Sequence, residues 1–553
     1  MLLIFLLSDY SIVIRKLSIE SIQMATQTYD YDYVIIGSGF GGSVSALRLS
    51  EKGYKVLVIE KGRWFNKPED FPETNWNLRK WMWMPSLGMK GLFKLTFYRH
   101  VAILSGVAVG GGSVVYANTL PVPKSEFYNS GHWNGLEDWQ NVLKPFYAEA
   151  KRMLGAEKHP YMSRSDKAML QLAKDMGDEN AFDKTDVAVY FGKVGVTVPD
   201  PYFDGKGPDR TGCNLCGGCM LGCRFNAKNT LDKNYLYLAQ QLGAEIIAEK
   251  EVYDVVPLSE DGNAGYEIKY KDSLSYFPKK GSVKAKGVIF AGGVLGTMDL
   301  MLKLKETSLP KLSDKLGTGI RTNSESLIGV TTYDKDASFS EGIAIGSIVN
   351  IDDSRHVEPV KYSEGAGFWR LFMAPMVTGK NIFIRFFNMI KDFVLHPIQN
   401  LKVFFVDDWS KRTHILLYME SIDSTLSLKR TKVGIMKTNL DTGPAPTAFN
   451  PKAQEIAHKI EKIVNGKAMV MSTETLLGIP TTAHILGGAC MGKDADSGVI
   501  DKNNHVFNYK NMMVCDGSMM SANPGVNPSL SITAISERAM SLMPLKKDNP
   551  EFA

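Results

Sequence analysis

The sequence of 553 residues lacks any apolar run near the roughly 18 residues that a membrane-spanning helix needs. It also lacks a strong charge bias: 64 Lys and Arg against 59 Asp and Glu leave a net charge of +5, too little over this length to indicate a nucleic-acid partner. Apolar residues make up 44% and charged residues 22%, which excludes disorder, collagen and coiled coil as the class of the whole chain. We therefore expect a globular, cytoplasmic protein with a sizeable core. Peripheral contact with a membrane surface through a local basic patch stays open.

Basic residues are missing ahead of the N-terminal apolar run MLLIFLL, and Asp9 ends this run early. A secretory signal peptide begins with a basic segment and ends at a small-residue cleavage site, so the run does not predict one. Met24 is a plausible native start, shortly before the first predicted strand. We expect residues 1–23 to be a disordered extension or a mis-annotated start.

Glycine is abundant, with 50 residues, and its first cluster follows a strand pattern. The run Tyr31–Ile36 is rich in β-branched and aromatic residues, and a helix over 43–52 and a strand over 55–59 come after the cluster. In such an order the glycines give a tight turn and let the backbone approach a pyrophosphate, while an acidic residue accepts from a ribose hydroxyl. The segment predicts a dinucleotide-binding unit with the cofactor residues Gly37, Gly39, Phe40, Gly41, Gly42 and Glu60.

Two later glycine clusters favour FAD over a nicotinamide cofactor. The second cluster lies within 104–118, between two apolar segments, and suits close approach of the backbone to a flat, extended cofactor. A nicotinamide enzyme does not need this cluster. The third cluster ends a strand within 287–296 and returns the chain to the same cofactor. The predicted FAD contacts beyond the first cluster are Gly110, Gly111, Gly112, Ser113, Asn118, Val252 and Gly292.

The C-terminal part carries a more specific pattern. It contains AHILGGACMG over 483–492 and NMMVCDGSMMSANPGVNPSLSITAISERAM over 511–540, where a V-x-D-G-S strand end precedes G-V-N-P and a helix. With the glycine clusters, these segments resemble the glucose-methanol-choline (GMC) family of FAD-dependent oxidoreductases, and within it the cholesterol oxidase-like branch. The resemblance extends from Tyr29 to Leu545 and is looser in the middle third.

The resemblance implies oxidation of an alcohol by hydride transfer to flavin N5. His484 matches the active-site base of the family, and Asn527 matches the second polar residue beside the flavin. Asp516, Gly517 and Pro528, with Asn527, match positions that contact the cofactor. Some relatives attach FAD through a His after the glycine triplet, but residues 113–118 contain none, so we predict non-covalent FAD.

The predicted fold is α/β, with a Rossmann-type FAD-binding domain and an interleaved substrate domain of α+β type built on an antiparallel sheet. Residues 24–130, 210–330 and 475–545 are assigned to the FAD domain. Residues 131–209 and 331–474 are assigned to the substrate domain.

Four of the six cysteines lie close together, at Cys213, Cys216, Cys219 and Cys223, with the spacing C-x2-C-x2-C-x3-C. This is the spacing of a bacterial ferredoxin iron–sulfur run, although Arg224 stands where Pro usually follows. An iron–sulfur cluster, a zinc ion and reduced thiols in a packed loop all stay open. A cluster would carry the flavin's electrons to a redox carrier, as in a dehydrogenase; without one, oxygen is the expected acceptor.

Two segments rich in Trp, Phe and Met with interleaved basic residues, 80–101 and 368–409, suit an interfacial helix, a lid over an apolar pocket or a buried core. In this family they favour a bulky hydrophobic alcohol, in the first place a sterol-like 3-hydroxyl. The polar segment 317–325 brings Asn323 and Glu325 toward the predicted site, with Glu325 a candidate base for steroid isomerisation. The alternatives are a dehydrogenase of another long-chain or cyclic alcohol, and a membrane-attached flavin–cluster electron-transfer protein.

Overall fold

The computed structural model describes residues 28–422, 424–550 and 552, so the predicted extension 1–23 lies outside the described residues. The helices are α1 Phe40–Glu51, α2 Leu78–Trp81, α3 Ser125–Tyr128, α4 Trp139–Met153, α5 Arg164–Asp175, α6 Tyr235–Gln241, α7 Gly293–Glu306, α8 Ile382–Leu395, α9 Pro397–Phe404, α10 Trp409–Arg412, α11 Pro451–Val464 and α12 Ser529–Ser541.

The strands are β1 Tyr31–Ile36, β2 Val56–Ile59, β3 Trp83–Met84, β4 Met89–Lys90, β5 Phe93–Phe97, β6 Ala102–Gly106, β7 Glu157–Lys158, β8 Phe182–Lys184, β9 Asp186–Val187, β10 Thr197–Val198, β11 Arg210–Thr211, β12 Glu245–Ile247, β13 Lys250–Pro257, β14 Tyr266–Asp272, β15 Lys280–Phe290, β16 Ser326–Thr332, β17 Ser347–Asn350, β18 Arg355–Val360, β19 Met373–Pro375, β20 Thr413–Glu420, β21 Leu426–Arg430, β22 Met436–Leu440, β23 Gly466–Met471, β24 Thr481–Thr482 and β25 Met512–Val514.

The first large sheet is mainly parallel. Its order is β12-β2-β1-β15, and β25 pairs with β15 on the far side, all in parallel register. The first half of β15 also pairs with β14, which pairs with β13, and these two contacts are antiparallel. A parallel strand pair needs a crossover connection, usually a helix, that brings the chain back to the end of the sheet where the next strand begins. The parallel strands joined by helices therefore give the α/β fold that the sequence predicts.

The second large sheet is antiparallel throughout, in the order β19-β23-β16-β20-β18-β17-β8. The central strand β20 presents alternate residues to two faces, as the period of a strand requires. Leu416 and Tyr418 pack in a core with α5 and α11, whereas Ile415, Leu417 and Met419 face a separate aromatic-rich core. The sheet thus has helices on one face and an apolar compartment on the other. The boundaries of the two domains stay a prediction.

The turn between β1 and α1 is built from the first glycine cluster. Gly37 has φ +104°, a left-handed conformation that other residues rarely adopt. A Cβ on Gly41 would lie 1.8 Å from the carbonyl oxygen of Cys515, so only glycine lets the helix pack against the end of β25. The glycines form the first turn of α1. The helix therefore begins at Phe40, three residues before the predicted start.

Candidate active site

A cavity of about 400 Å³ lies at the carboxyl ends of β1 and β2, and we call it the glycine cavity. Ligands of open α/β sheets bind at this edge, outside the ends of the parallel strands. Of the cofactor residues predicted from the sequence, those that line the glycine cavity are Gly37, Gly39, Glu60, Gly111, Gly112, Val252 and Gly292.

Glu60 is held in place at the end of β2. Its Oε2 accepts from the backbone N–H and the hydroxyl of Ser38, at 3.0 and 2.7 Å, and its Oε1 accepts from the N–H of Gly62 at 2.7 Å. The Ser38 hydroxyl oxygen in turn accepts from the N–H of Gly110 at 3.0 Å. The acidic residue therefore joins the first two glycine clusters around one cavity.

Four predicted cofactor residues line neither the glycine cavity nor the second cavity beside it: Gly42, Gly110, Ser113 and Asn118. A Cβ on Gly42 would lie 2.1 Å from the carbonyl oxygen of Gly37, so Gly42 serves the packing of helix on turn. The Ser113 hydroxyl donates to the carbonyl of Gly110 at 2.7 Å and accepts from the N–H of Leu231 at 3.0 Å. Asn118 is fully buried, and its amide nitrogen and oxygen have no hydrogen-bond partner among the described residues. These residues shape the loops rather than line the cavity.

The glycine cavity suits an extended anionic cofactor such as FAD. A Cβ built on Gly39 has only the Ala291 carbonyl oxygen near it, at 3.9 Å, so this backbone faces open space that a ligand can approach. The cavity wall also carries basic side chains, among them Lys61 and Lys94. Burial, together with the charge of Lys61, lowers the pKa of Lys94 to about 8. A pyrophosphate would stabilise these ammonium groups.

A second cavity, of about 330 Å³, adjoins the first and shares Gly39, Gly112 and Gly293 with it. We call it the apolar cavity. The predicted residues that line it are Gly39, Phe40, Gly41, Gly112, His484, Asp516, Gly517, Asn527 and Pro528. The C-terminal motifs and the first glycine turn, far apart in sequence, therefore meet at one wall.

His484 forms a pair with Glu325 on this wall. The Nδ1 atom of His484 lies 2.6 Å from Glu325 Oε1, and Glu325 also accepts from the Thr482 hydroxyl at 2.9 Å and the Ala483 N–H at 3.0 Å. Burial would lower the pKa of His484, but the charge and hydrogen bond of Glu325 raise it above the ordinary histidine value. A carboxylate at Nδ1 favours the tautomer with the proton on that nitrogen, which leaves Nε2 as an acceptor.

Asn527 is anchored by a second buried carboxylate, Glu358 in β18, which the sequence did not single out. With its amide nitrogen turned toward Glu358, Asn527 donates to both carboxylate oxygens, at 2.9 and 3.2 Å. The loop that carries Asn527 is tied down by Asn323, whose amide donates to the carbonyl of Val526 at 2.8 Å. In the sequence, the indication of a buried carboxylate here is the single Glu within the strand RHVEPV, which is Glu358.

Comparison with known proteins places this site in a family. Residues 430–536 match the family model described as GMC oxidoreductase, and residues 35–65 match the NAD(P)-binding Rossmann-like domain. The chain is 43% identical to a cholesterol oxidase of Acinetobacter baumannii over 96% of this chain and 97% of that protein. It is 41% identical to a cholesterol oxidase of Mycobacterium tuberculosis, over 94% and 92% of the two chains. The chain belongs to the GMC oxidoreductase family, in its cholesterol oxidase-like branch. It is therefore a FAD-dependent alcohol oxidoreductase, as the sequence predicted.

The fold of this GMC oxidoreductase is also found in solved structures. A pyridoxine 4-oxidase from Mesorbium loti superposes with a TM-score of 0.59 over 93% of this chain and 99% of that one, at 13% sequence identity. At this identity the likeness concerns the fold alone. The roles of individual residues in the GMC site, including His484 and Asn527, stay predictions.

The rest of the apolar cavity in this GMC oxidoreductase is made by large apolar side chains. Phe93 comes from the first predicted aromatic segment, Trp369, Met373 and Trp409 come from the second, and Leu417 comes from β20. The ring of Phe93 lies against Trp369 with centroids 6.1 Å apart. Parts of both segments therefore surround the place where His484 and Asn527 meet the cavity.

The helices α8 and α9, within the second aromatic segment, leave most of their apolar side chains in solvent. Phe383 is 72% exposed, Phe387 67%, Val394 71% and Ile398 67%. No helix within residues 28–422 and 424–550 combines the length and apolar character needed to cross a bilayer. We call α8 and α9 the exposed helix pair.

The four clustered cysteines line a third, small cavity, the cysteine cavity. All four are free thiols, and burial raises the pKa of Cys216 to about 11. Among the described residues, no three His, Cys, Asp or Glu side chains converge closely enough to hold one metal ion. Met220, which follows Cys219, lines the apolar cavity. The cysteine loop thus lies between the cysteine cavity and the predicted site of alcohol oxidation.

Proposed function

We propose that the chain oxidises the hydroxyl group of a bulky hydrophobic alcohol, in the first place a sterol-like 3-hydroxyl, to the ketone, with His484 as the base. The observation that carries this proposal is the His484–Glu325 pair on the wall of an otherwise apolar cavity. An apolar cavity with few converging polar groups is the usual form of a site that orients a hydrophobic ligand.

Each polar side chain has a separate task in this proposal. Glu325 holds the proton of Nδ1, so that Nε2 of His484 takes the hydroxyl proton of the alcohol. Asn527, fixed by Glu358, hydrogen-bonds the same oxygen and cannot titrate. FAD, held non-covalently in the glycine cavity, supplies the hydride acceptor at N5 when it is bound.

The substrate class rests on the cavity wall and on the relatives. Trp369, Met373 and Trp409 offer apolar surface and little hydrogen bonding, which suits fused rings or a long chain better than a sugar. The relatives with 41–43% identity are named cholesterol oxidases, and a 22% identical relative from Arabidopsis thaliana is named a long-chain-alcohol oxidase. A long-chain or cyclic alcohol other than a sterol is the alternative.

The experiment is replacement of His484 by Ala. We expect His484→Ala to remain yellow, with FAD bound, and to lose the bleaching of flavin absorbance when cholesterol in detergent is added without oxygen. A general base contributes about 10²–10⁴-fold, so bleaching should slow by at least a hundredfold. His458→Ala, at a side chain 60% exposed, is the matched control and should bleach normally. Undiminished bleaching in His484→Ala contradicts the role of the residue.

The exposed helix pair supports peripheral contact with a membrane surface. Its apolar side chains belong to the same segment as Trp369 and Met373, which line the apolar cavity. Lys391 and Lys402 are exposed on these helices, which suits the anionic headgroups beside the buried acyl chains. A sterol-like substrate would enter from the same surface.

A second candidate function differs in where the electrons go. With FAD bound, the electrons of the alcohol would pass to oxygen, or through an iron–sulfur cluster held by the four cysteines to a redox carrier. The second route would make the protein a dehydrogenase or a membrane-attached electron-transfer protein. The observation that favours this candidate is that all four cysteines line one cavity next to Met220 of the apolar cavity.

A further inference from the structure

The cysteine loop is a fixed structure, pinned to a distant part of the chain. The N–H of Gly217 donates to the carbonyl of Gly342 at 2.8 Å, and the N–H of Gly342 donates to the carbonyl of Leu215 at 2.8 Å. Leu215 and Gly217 have φ of +59° and +68°. Alternation of left-handed residues turns backbone N–H groups inward, as in the concave sites that hold phosphates and iron–sulfur clusters.

A backbone N–H group of this loop donates a hydrogen bond to one of the four sulfur atoms. The N–H of Leu215 donates to Cys213 Sγ at 3.4 Å. The backbone N–H groups of Gly218 and Ala344 lower the pKa values of the Cys216 and Cys219 thiols, against the larger effect of burial, which raises them. Hydrogen bonds to sulfur stabilise negative charge on thiolates and tune the potential of a cluster.

Two lysines buried at the same place form the second, independent observation. Lys228, 1% exposed, lines the cysteine cavity, and its Nζ donates to the carbonyl oxygens of Val114, Tyr116 and Cys219 at 2.8–2.9 Å. Lys361, 2% exposed, forms an ion pair with Asp166, its Nζ lying 3.6 Å from Asp166 Oδ2. Buried ammonium groups are costly unless an anion is near.

We infer that Cys213, Cys216, Cys219 and Cys223 bind a [4Fe–4S] cluster whose negative charge Lys228 and Lys361 balance. Four thiolates and a [4Fe–4S]²⁺ core carry a net charge of about −2, the sign that the ammonium groups of the two lysines would stabilise. The spacing C-x2-C-x2-C-x3-C is that of an iron–sulfur run, whereas structural zinc sites usually divide their ligands between two separated pairs.

The inference deepens the second candidate function and rests on it for its role in turnover. Oxidation of one alcohol to the ketone releases two electrons and two protons. The cluster takes one electron at a time, from [4Fe–4S]²⁺ to [4Fe–4S]¹⁺, so each alcohol needs two cluster cycles and two equivalents of a one-electron carrier protein. Met220 joins the two cavities along the chain, and Lys228 binds the loop after the second glycine cluster. The cluster would therefore lie beside the flavin.

The experiment is purification without oxygen, followed by assay of iron, acid-labile sulfide and flavin. We expect about four irons and four sulfides per flavin, a broad shoulder near 400 nm, and an electron paramagnetic resonance signal after reduction with dithionite. Cys216→Ser should lose this signal while retaining FAD. Cys490→Ser, at a buried cysteine outside the cavity, is the matched control and should keep both. Flavin bands with no iron, even after anaerobic reconstitution with iron and sulfide, overturn the inference, and so does stoichiometric zinc.

A further variant tests the lysines. Lys361→Met removes a buried positive charge, so the midpoint potential of the cluster should become more negative, because the reduced form carries the greater negative charge. A purely structural role for Lys361 would leave the potential unchanged. These readouts are separate from the alcohol reaction. An iron-free protein whose flavin is bleached by alcohol would support the proposed oxidation and contradict the cluster. A protein with a normal cluster and no bleaching would support the cluster and contradict the proposed oxidation.

Discussion

Replacement of Glu325 by Gln changes the charge beside His484 and keeps the shape of the side chain. In the folded protein Glu325 holds the pKa of His484 above the ordinary value, against the opposing effect of burial. As the proposed base, His484 would accept a proton only when it is neutral, so we expect the rate to fall as the pH drops through this raised pKa. Removal of the carboxylate charge lowers the pKa, and the acid limb of the rate profile should move to lower pH.

The distance sets the size of the shift. A full opposite charge within about 4–6 Å shifts a pKa by about 1–3 units, and Nδ1 of His484 is 2.6 Å from Glu325 Oε1. The charge of Glu358 also acts on His484 and remains in the variant. We therefore expect a shift of about 1–2 pH units, equal to about 1.4–2.8 kcal/mol. A Gln oxygen still accepts from Nδ1, but the N–H of Ala483 loses its acceptor, at a cost of about 1–3 kcal/mol in stability.

The assay is anaerobic stopped-flow reduction of the flavin by cholesterol in detergent, from about pH 5 to 9, where a histidine base titrates. Glu474→Gln is the matched control, because burial raises the pKa of Glu474 to about 8 and its carboxyl is already neutral at lower pH. An acid limb that stays in place in Glu325→Gln refutes the pairing as the origin of the basicity. Equal shifts in both variants refute it as well.

Two further predictions concern the cofactor and the membrane. Gly39→Ala places a methyl group in open space at the glycine cavity, where the cofactor would approach the backbone. We expect at least tenfold weaker FAD binding, measured by flavin fluorescence, and an unchanged far-ultraviolet circular dichroism spectrum. Full FAD retention contradicts the assignment. Phe383→Ser with Phe387→Ser removes two exposed rings worth about 1.5–3 kcal/mol each when buried, so sedimentation with vesicles of phosphatidylglycerol and phosphatidylcholine should fall at least tenfold. The control is Phe277→Ser, at a ring 91% exposed outside the exposed helix pair, and equal losses argue against that surface.

The sequence predicted those parts of the site that local motifs encode. The glycine turn, Glu60 and the C-terminal loop with Asn527 are read from short segments, because each depends on a strand, a turn and a helix that follow one another. Glu358 was missed because it reaches Asn527 through the pairing of β18 with β20, which no local pattern specifies. Glu325 was noticed as an isomerisation base, and its contact with His484 depends on a separation of 159 residues. Asn118, chosen for its place in a glycine loop, is buried and lines neither the glycine cavity nor the apolar cavity.

Three buried carboxyl groups, those of Glu325, Glu358 and Glu474, differ in their contacts. Of the three, Glu325 lines the apolar cavity, yet Oε1 accepts from Thr482 and His484 and Oε2 accepts from Ala483. A base that moves a proton between carbon atoms of a steroid needs an oxygen open to the substrate, so these contacts favour an orienting role for Glu325. Glu358 is engaged with Asn527, and Glu474 accepts from the N–H of Thr481. In the proposed function, proton transfer from the alcohol therefore falls to Nε2 of His484, and the carboxylate on its other nitrogen sets its strength as a base.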